Sequence, residues 1–317
     1  MSRVSVIVPT YRRPHFLVNA LASLKSQSMT DFEVLVCDNG AEAATEDVVR
    51  SLDDERFRYI PRPQNVGMLR NALLGFADAR SPLVMKLDDD DALMPDALER
   101  LTRPFDQEPE IRLSFGGVQL VDENDAPLQE RTQWLDRTSG RAFFQEGRLT
   151  GATGIVARGG VQLAGAVVRA DLVDWASVPA EVGTAYDFHL ALTAAENDRP
   201  LWFTKAPVVR YRLHPDADTN THSAAQARAT VFVLEQALGS GRHQDTSALQ
   251  RRLGQATLAA GRALLHDGDF RSARPFLHRS FRLQPGLTAA RLAVTSHLPS
   301  ALLRRLVSAR QSNLPAA

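Results

Sequence analysis

The first hundred residues alternate short apolar runs with stretches whose apolar positions repeat at helical spacing. The apolar runs predict buried strands at residues 4–8, 32–37, 57–60 and 83–87. The stretches between them predict helices that begin at Pro14 or cover residues 45–52 and 68–79. Strands that alternate with helices in this way predict an α/β fold with a mostly parallel, Rossmann-like sheet and helices on both faces.

The pattern becomes less regular after residue 105. Further strands are predicted at residues 111–115, 118–121, 163–168 and 208–213, and residues 186–196 have helical spacing. Residues 122–160 are polar and contain several glycines without a steady period. We therefore predict a long functional loop there.

The composition changes again near residue 223, where Ala, Leu, Arg and Gln become common at helical spacing. This change predicts two domains, an α/β domain at residues 1–222 and a helical C-terminal extension at 223–317. Residues 259–285 have the pattern of one tetratricopeptide-like helical hairpin. A single hairpin of this kind cannot bury its own apolar face, so we expect it to pack on the first domain or on a partner.

The charged residues from Arg271 to the end of the chain are all basic. They stand beside Leu and Val and include Arg274, Arg279, Arg282, Arg291, Arg304, Arg305 and Arg310. Two interpretations fit this pattern. The helices could lie against anionic lipid through a basic amphipathic face, or the arginines could form an ordinary solvated face.

Composition limits the classes of protein to consider. The 317 residues hold 37 Lys and Arg against 37 Asp and Glu, and this balance argues against a general nucleic-acid binder. The single cysteine, Cys37, excludes an intrachain disulfide and fits a reducing compartment. Neither a signal peptide nor an apolar run long enough to span a bilayer is recognisable. We therefore expect a cytoplasmic protein, with peripheral contact at the inner face of a membrane if the basic helices bind lipid.

Four consecutive carboxylates, Asp88 to Asp91, follow the apolar run at 83–87. Adjacent like charges raise one another's pKa unless they share a cation, and oxygen ligands favour Mg²⁺ or Mn²⁺. An extended backbone would place Asp88 and Asp90 on one side and Asp89 on the other. The alternative is a solvated acidic turn at the start of the next helix. The position favours a ligand site, because open α/β sheets bind ligands at the carboxyl ends of their strands.

Polar residues also follow the first two predicted strands, at Thr10, Tyr11 and Asp38. An ionised Asp38 can only accept hydrogen bonds, which suits the N3–H of uracil or thymine, or a ribose hydroxyl. Alternatively, the sequence Asp-Asn-Gly at 38–40 forms a simple turn.

A helix is predicted to begin after Asn65 and Gly67, with Arg70 in its first turns. Backbone N–H groups at a helix start and a guanidinium group are suited to a diphosphate. A helix cap beside a surface arginine would give the same pattern.

Taken together, these motifs resemble the family 2 nucleotide-sugar glycosyltransferases, which have the GT-A fold. The resemblance covers residues 1–222 and is densest before residue 105. It is carried, in order along the chain, by Val-Ile-Val-Pro-Thr-Tyr at 6–11, Val-Leu-Val-Cys-Asp-Asn-Gly at 34–40, Asn-Val-Gly at 65–67 with Arg70, and Leu-Asp-Asp-Asp-Asp at 87–91 with Pro95.

The resemblance implies a donor site in residues 1–104, an acceptor-binding half in residues 105–222, and Mn²⁺ or Mg²⁺ as cofactor. The metal ligands that it implies are Asp88 and Asp90, with His214 completing the metal or diphosphate site. The nucleotide-binding residues that it implies are Pro9, Thr10, Tyr11, Arg13, Asp38, Asn65, Gly67, Arg70, Asp88 and Asp89.

The catalytic base is where this chain departs from the family. Relatives usually carry a Glu-Asp pair before an amphipathic helix, with the Asp as base, whereas residues 184–188 here read Thr-Ala-Tyr-Asp-Phe. One alignment puts Ala185 at the position of the base, and a slip of two residues makes Asp187 the base. Glu181 is the next candidate.

These features predict an inverting, metal-dependent glycosyltransferase. It would move a sugar from a UDP- or dTDP-sugar to a hydroxyl of a glycan or lipid-linked acceptor, in a surface polysaccharide, a glycolipid or another glycosylated product. One alternative is a catalytically silent relative that binds a sugar nucleotide, or a protein through its helical tail. Another is a nucleotidyltransferase, although residues 9–13 do not resemble the glycine-rich triphosphate loop that such an enzyme needs.

Overall fold

The computed structural model describes residues 2–214 and 224–298, which form two compact units. The first unit holds residues 2–180 and 186–214, and the second holds 181–185 and 224–298. The domain boundary predicted at 222/223 lies outside the described residues, as do Arg304, Arg305 and Arg310. Among the helices that the structure describes, none combines the length and the apolar character needed to cross a membrane.

The described part of the first unit contains one sheet of nine strands. In chain order they are Val4–Thr10 (β1), Phe32–Asp38 (β2), Phe57–Pro61 (β3), Leu83–Lys86 (β4), Ala92–Leu93 (β5), Leu113–Val121 (β6), Gly147–Leu149 (β7), Ala166–Arg169 (β8) and Leu201–Arg212 (β9). Their order across the sheet is β3-β2-β1-β4-β8-β6-β9-β5, and β7 pairs with β9.

Strands β3, β2, β1 and β4 are parallel, as the βαβ pattern predicts. Val6 of β1 is opposite Val34 of β2 and Met85 of β4, and all three side chains are buried. At the carboxyl end, Thr10 pairs with Asp38. The loops after β1, β2 and β4 therefore emerge at the same edge of the sheet.

The rest of the sheet is mixed. Strand β8 is antiparallel to β4 and β6, whereas β6 is parallel to β9. The prediction of separate strands at 111–115 and 118–121 is wrong, because β6 continues through Gly116 and Gly117 with a shift of register against β9. A Cβ atom at Gly116 would lie 2.5 Å from the Val208 side chain, so only glycine lets the two strands approach this closely.

Helices cover the sheet of the first unit. They are Pro14–Lys25 (α1), Ala43–Ser51 (α2), Met68–Asp78 (α3), Ala97–Thr102 (α4), Pro104–Gln107 (α5), Gln129–Ser139 (α6), Ala152–Ala157 (α7) and Tyr186–Ala194 (α8), with 3-10 turns at Arg141–Phe143, Trp175–Ser177 and Glu196–Asp198. Helix α1 buries Leu17, Leu21 and Leu24 in the same core as β1 and β2.

The predicted long loop at 122–160 is wrong. This stretch contains α6, β7 and α7. Helix α6 is hard to recognise because most of its residues are polar and only Ser139 is fully buried. Its apolar face is too narrow to produce a helical hydrophobic period.

The second unit is helical. It contains residues 181–185 of the 3-10 segment Ala180–Ala185 and the helices Ala224–Gly239 (α9), Thr246–His266 (α10), Phe270–Leu283 (α11) and Leu287–Thr295 (α12). Helices α10 and α11 form an antiparallel hairpin whose turn is capped by the Asp269 side chain, which accepts a hydrogen bond from the Ser272 N–H. Helix α9 packs on α10, and α12 packs on α11, so the hairpin buries part of its apolar surface within this unit.

Candidate active site

The acidic loop follows β4 at the edge where the β1 and β2 loops also emerge. The Leu87 N–H still donates to the Ile7 carbonyl, at 2.9 Å, and the backbone then turns, with the Asp91 N–H donating to the Asp88 carbonyl at 3.1 Å. Because the backbone turns, the predicted alternation of Asp88 and Asp90 against Asp89 does not occur. Each of the four carboxylates has a hydrogen-bond or ion-pair partner of its own, and Arg13 lies beside both Asp89 and Asp90.

Thr10 and Asp89 join the loops after β1 and β4. The Thr10 hydroxyl donates to Asp89 Oδ2 at 2.6 Å, and both residues are buried. The Arg13 guanidinium lies 3.7 Å from Asp89 Oδ1. Burial raises the pKa of Asp89 to about 7, although the hydrogen bond from Thr10 and the charge of Arg13 oppose this shift. A cation beside this carboxylate would therefore favour its ionised form.

Asp90 and His214 form the part of the site best suited to a metal ion. His214 Nε2 lies 2.9 Å from Asp90 Oδ2, and Arg13 Nη1 lies 3.3 Å from the same oxygen. His214 is buried just beyond β9, and its ring centroid lies 5.0 Å from that of Phe16. Mg²⁺ or Mn²⁺ in phosphate-transferring sites commonly takes one or two carboxylates besides water and phosphates, so the Asp90 carboxylate suits such an ion and His214 would add a nitrogen ligand beside it.

Asp88 does not join that pair. Its Oδ2 atom lies 2.9 Å from Lys86 Nζ. Among the residues that the structure describes, no three His, Cys, Asp or Glu side chains are arranged to hold a metal ion. Of the predicted metal ligands Asp88, Asp90 and His214, the structure therefore brings only Asp90 and His214 together.

Arg212, which the sequence analysis did not single out, anchors the acidic loop. Its backbone N–H donates to Asp91 Oδ1 and its Nε donates to the Asp90 carbonyl, both at 2.9 Å. Its Nη1 atom donates to the Asp122 carbonyl, and its Nη2 atom donates to Asp125 Oδ1. Burial raises the pKa of Asp91, and the charges of the neighbouring carboxylates add to this effect. The sequence signal that could have pointed to Arg212 is its position two residues before His214.

Lys86, also missed by the sequence analysis, is buried at the end of β4. Its Nζ atom lies 3.5 Å from Asp187 Oδ2 and 5.1 Å from the centroid of the Tyr186 ring. Burial alone would lower the pKa of Lys86, but the Asp187 and Asp88 carboxylates outweigh it and hold the pKa well above its ordinary value. The side chain is therefore an ammonium ion between two carboxylates.

The candidate base Asp187 lies in the first turn of α8. Its Oδ1 atom is buried without a hydrogen-bond partner, while the side chain as a whole keeps 39% of its surface exposed. Burial raises the pKa of Asp187, and the Lys86 ammonium opposes this shift. Glu181 is exposed and lies in the 3-10 segment that belongs to the second unit.

Asp38 is fully buried and organises its own loop. Its Oδ2 atom accepts hydrogen bonds from the Glu42 N–H at 2.7 Å and the Tyr59 hydroxyl at 2.8 Å, and Oδ1 accepts from the Gly40 N–H at 3.2 Å. These hydrogen bonds match the second interpretation of the sequence, in which Asp-Asn-Gly at 38–40 forms a turn. The Tyr11 ring, 37% exposed, lies over Gly40, where a Cβ atom would be 3.3 Å from the ring. Pro9 is half-buried and lies in β1, two residues before Tyr11.

Asparagine side chains join the β2 loop to the start of α3. Asn39 Nδ2 donates to Asn65 Oδ1 at 2.9 Å, and Asn39 Oδ1 accepts from the Val66 N–H at 2.8 Å. The Gly67 N–H donates to Asn65 Oδ1, also at 2.8 Å. The N–H groups of Val66 and Gly67 are therefore used within the protein. What this helix start can offer a diphosphate is its first turn, residues 68–70, which includes the exposed Arg70.

The chain resembles known proteins both in sequence and in fold. Residues 5–157 match the family model described as "Glycosyl transferase family 2". A β-1,3-glucosyltransferase of Campylobacter jejuni, named for GalNAc(5)-diNAcBac-PP-undecaprenol, is 30% identical over 159 residues. That alignment covers 45% of this chain and 51% of the relative, so the chain spans about half the length of that protein.

Solved structures resemble the chain over nearly its whole length. Staphylococcus aureus TarS 1–349 in complex with UDP-GlcNAc has a TM-score of 0.70 at 15% identity, covering 99% of this chain and 93% of that one. Pyrobaculum calidifontis mannosyltransferase PcManGT, in complex with GDP-Man and Mn²⁺, has a TM-score of 0.58 at 17% identity, covering 96% and 84%. Residues 5–157 thus match glycosyltransferase family 2, and the architecture of the sheet together with these neighbours gives the chain the GT-A fold.

Proposed function

We propose that this protein is an inverting, metal-dependent glycosyltransferase that moves a sugar from a UDP- or dTDP-sugar to a hydroxyl acceptor. The observation that carries the proposal is the pairing of Asp90 with His214 beside Thr10 and Asp89, at the sheet edge where three strand loops meet. Nucleotide sugars in two GT-A neighbours support the class of donor.

The nucleoside is expected between the β1 and β2 loops. Tyr11 offers an exposed ring for stacking of the base, with Pro9 beside it. Since the Asp38 carboxylate already accepts three hydrogen bonds, we propose that it fixes the loop that contacts the base or ribose. Asn65 and Gly67 hold the neighbouring loop in place.

The diphosphate is expected at Asp90, His214 and Arg13. Asp90 and His214 would hold Mg²⁺ or Mn²⁺, and such an ion supplies a Lewis acid that neutralises charge on the leaving diphosphate. Arg13, which already contacts Asp89 and Asp90, brings a positive charge to the same place. Arg70 in the first turn of α3 is a second cation for the diphosphate.

Asp187 is the proposed base. A single displacement at the anomeric carbon inverts its configuration and requires a carboxylate that accepts the proton of the acceptor hydroxyl. The raised pKa of Asp187 makes it a stronger base than an exposed aspartate. Glu181 remains the second candidate.

We further propose a glycan or lipid-linked acceptor and peripheral contact with anionic membrane on the cytoplasmic side. The Campylobacter relative is named for an undecaprenol-linked substrate. In the second unit, the large side chains Phe281, Leu283, Leu287 and Val294 are exposed. Arg282 and Arg291 are exposed among them, and this combination suits a lipid surface.

The test is nucleotide release from a panel of UDP-, dTDP- and GDP-sugars, with Mn²⁺, Mg²⁺ or EDTA. Native protein is compared with Asp90→Ala, with Asp187→Ala, and with Asp47→Ala, an exposed aspartate on α2, as matched control. We expect metal-dependent release that Asp90→Ala abolishes and Asp47→Ala preserves. Loss of release in Asp187→Ala with nucleotide binding intact would identify the base. Nucleotide binding without turnover, for every donor and with added acceptor glycans, would favour the silent relative.

A further inference from the structure

Lys86 is an unusual residue for its place in the fold. It ends β4, where its neighbours Met85 and Leu87 are apolar and fully buried, and only 6% of its own side chain is exposed. A lysine in such a place normally costs stability unless its charge is paired and its N–H groups are bonded. The apolar packing of a central strand gives no reason for a lysine at this position. The role of Lys86 therefore lies in its charge.

The charge is shared between two carboxylates from distant parts of the chain. Lys86 Nζ lies 2.9 Å from Asp88 Oδ2 and 3.5 Å from Asp187 Oδ2. Asp88 belongs to the loop that begins the proposed donor site, whereas Asp187 starts α8 and is the proposed base. The same ammonium lies 5.1 Å from the ring centroid of Tyr186, which restricts its movement from a further side.

We propose that Lys86 is a positioning residue that fixes the Asp187 carboxylate against the donor side of the site, with Asp88 as its second anchor. The proposal rests on Asp187 acting as the base. Without the ammonium, the two carboxylates would repel each other across a partly buried space. Asp187 would then turn away from the anomeric carbon, and a misplacement of about 1 Å can cost a hundredfold in rate.

A merely structural lysine makes a different prediction. If Lys86 only neutralised charge in the core, its replacement would lower the melting temperature and leave the kinetics of the folded protein unchanged. A positioning residue instead lowers kcat in folded protein and leaves donor binding in place, because its partner Asp187 acts on the acceptor. Its effect should also disappear when Asp187 is already absent.

The experiment is a double-mutant cycle on nucleotide-sugar turnover by the full chain. It compares native protein, Lys86→Met, Asp187→Asn and the double variant, with calorimetric UDP binding and circular dichroism for each. We expect Lys86→Met to lower kcat by about 10- to 100-fold, with the Kd for UDP within about threefold of native. In the Asp187→Asn background we expect the same change to alter kcat less than about threefold.

Two outcomes would overturn the proposal. One is native kcat in folded Lys86→Met. The other is the same fold-loss in both backgrounds, which would show that Lys86 acts apart from Asp187. If Lys86→Met does not fold, Lys86→Arg replaces it, because the planar guanidinium keeps the charge but sets other distances. A fall in kcat with UDP binding retained would then support positioning, and native kcat would refute it. Native protein that turns over no donor would instead refute the proposed function, and this inference with it.

Discussion

His214 Nε2 and Asp90 Oδ2 lie 2.9 Å apart, although the two residues are 124 positions apart in the chain. The contact joins the end of β9 to the loop after β4, and Arg212 strengthens the same junction through the Asp90 carbonyl and the Asp91 side chain. The mixed half of the sheet thus completes a site that the parallel half begins.

The first prediction concerns this pair. His214→Ala should weaken binding of Mn²⁺ in the presence of UDP by about 10- to 100-fold, since it removes one of the two protein groups that we propose hold the ion. Titration calorimetry or electron paramagnetic resonance of Mn²⁺ measures the change. His266→Ala, a largely exposed histidine of the second unit, is the control and should bind Mn²⁺ as native protein does. Unchanged affinity in His214→Ala would remove His214 from the metal site.

The second prediction concerns Thr10. Thr10→Val keeps the shape of the side chain but leaves Asp89 Oδ2 buried without its 2.6 Å donor, which should cost about 1–3 kcal/mol of unfolding free energy. Thr45→Val is the matched control, because the Thr45 hydroxyl is buried without a partner and its loss should be neutral or stabilising.

Urea unfolding followed by tryptophan fluorescence measures both variants. The three tryptophans of the chain, Trp134, Trp175 and Trp202, all lie in the first unit and report on its unfolding alone. Equal stability of Thr10→Val and Thr45→Val would contradict the role assigned to the hydrogen bond.

The sequence predicted those parts of the fold and site that depend on neighbours along the chain. Strands β1, β2 and β4 are apolar runs bounded by polar loops, so both their positions and their common edge could be read from the pattern. The contacts of Asp90 with His214 and of Lys86 with Asp187 join residues more than a hundred positions apart. No local period encodes them.

The acidic motif predicted Asp88 and Asp90 as metal ligands, which stays a prediction, but it did not indicate the ion pair between Asp88 and the buried Lys86. The errors in the fold have their own causes. The register shift at Gly116 and Gly117 made one strand look like two. Helix α6 is mostly polar and shows no hydrophobic period, so the pattern did not predict a helix there.

The third prediction is a pH dependence of stability at Glu33. Burial alone would raise the pKa of this carboxyl, but hydrogen bonds from the Ser5 hydroxyl, the Arg80 N–H and the Arg58 guanidinium outweigh burial and lower it. A carboxyl group whose pKa is lower in the folded state contributes stability above its unfolded pKa of about 4.3, and this contribution is lost as the pH falls through the folded pKa.

Glu33→Gln should therefore lower the unfolding free energy by about 1–2 kcal/mol at pH 7, and the difference from native should shrink toward pH 3. The same fluorescence-detected urea titrations at the two pH values measure it. Glu55→Gln, an exposed glutamate before β3, should change little at either pH. A Glu33→Gln deficit of the same size at pH 3 would show that the contribution comes from packing rather than from the charge.

The last prediction concerns the hairpin of the second unit. A Cβ atom at Gly261 of α10 would lie 2.6 Å from Leu277 Cδ2 and 2.8 Å from Leu277 Cγ, so the two helices can approach this closely only because residue 261 has no side chain. Gly261→Ala should overpack the contact at a cost of about 1–3 kcal/mol. Gly239→Ala, at the end of α9, is the control, because a Cβ atom there meets nothing within 4 Å.

Hydrogen exchange read by mass spectrometry locates the effect. In Gly261→Ala, amides of α10 and α11 should exchange about 5- to 150-fold faster, which is the rate change that corresponds to about 1–3 kcal/mol of local stability, while amides of β1 and β2 keep their native rates. Native exchange in α10 and α11 would mean that Leu277 moves aside without cost, and the close approach of the helices would then not depend on the glycine. Faster exchange in the sheet as well would show that the two units unfold together, because the substituted residue belongs to the second unit and the sheet to the first.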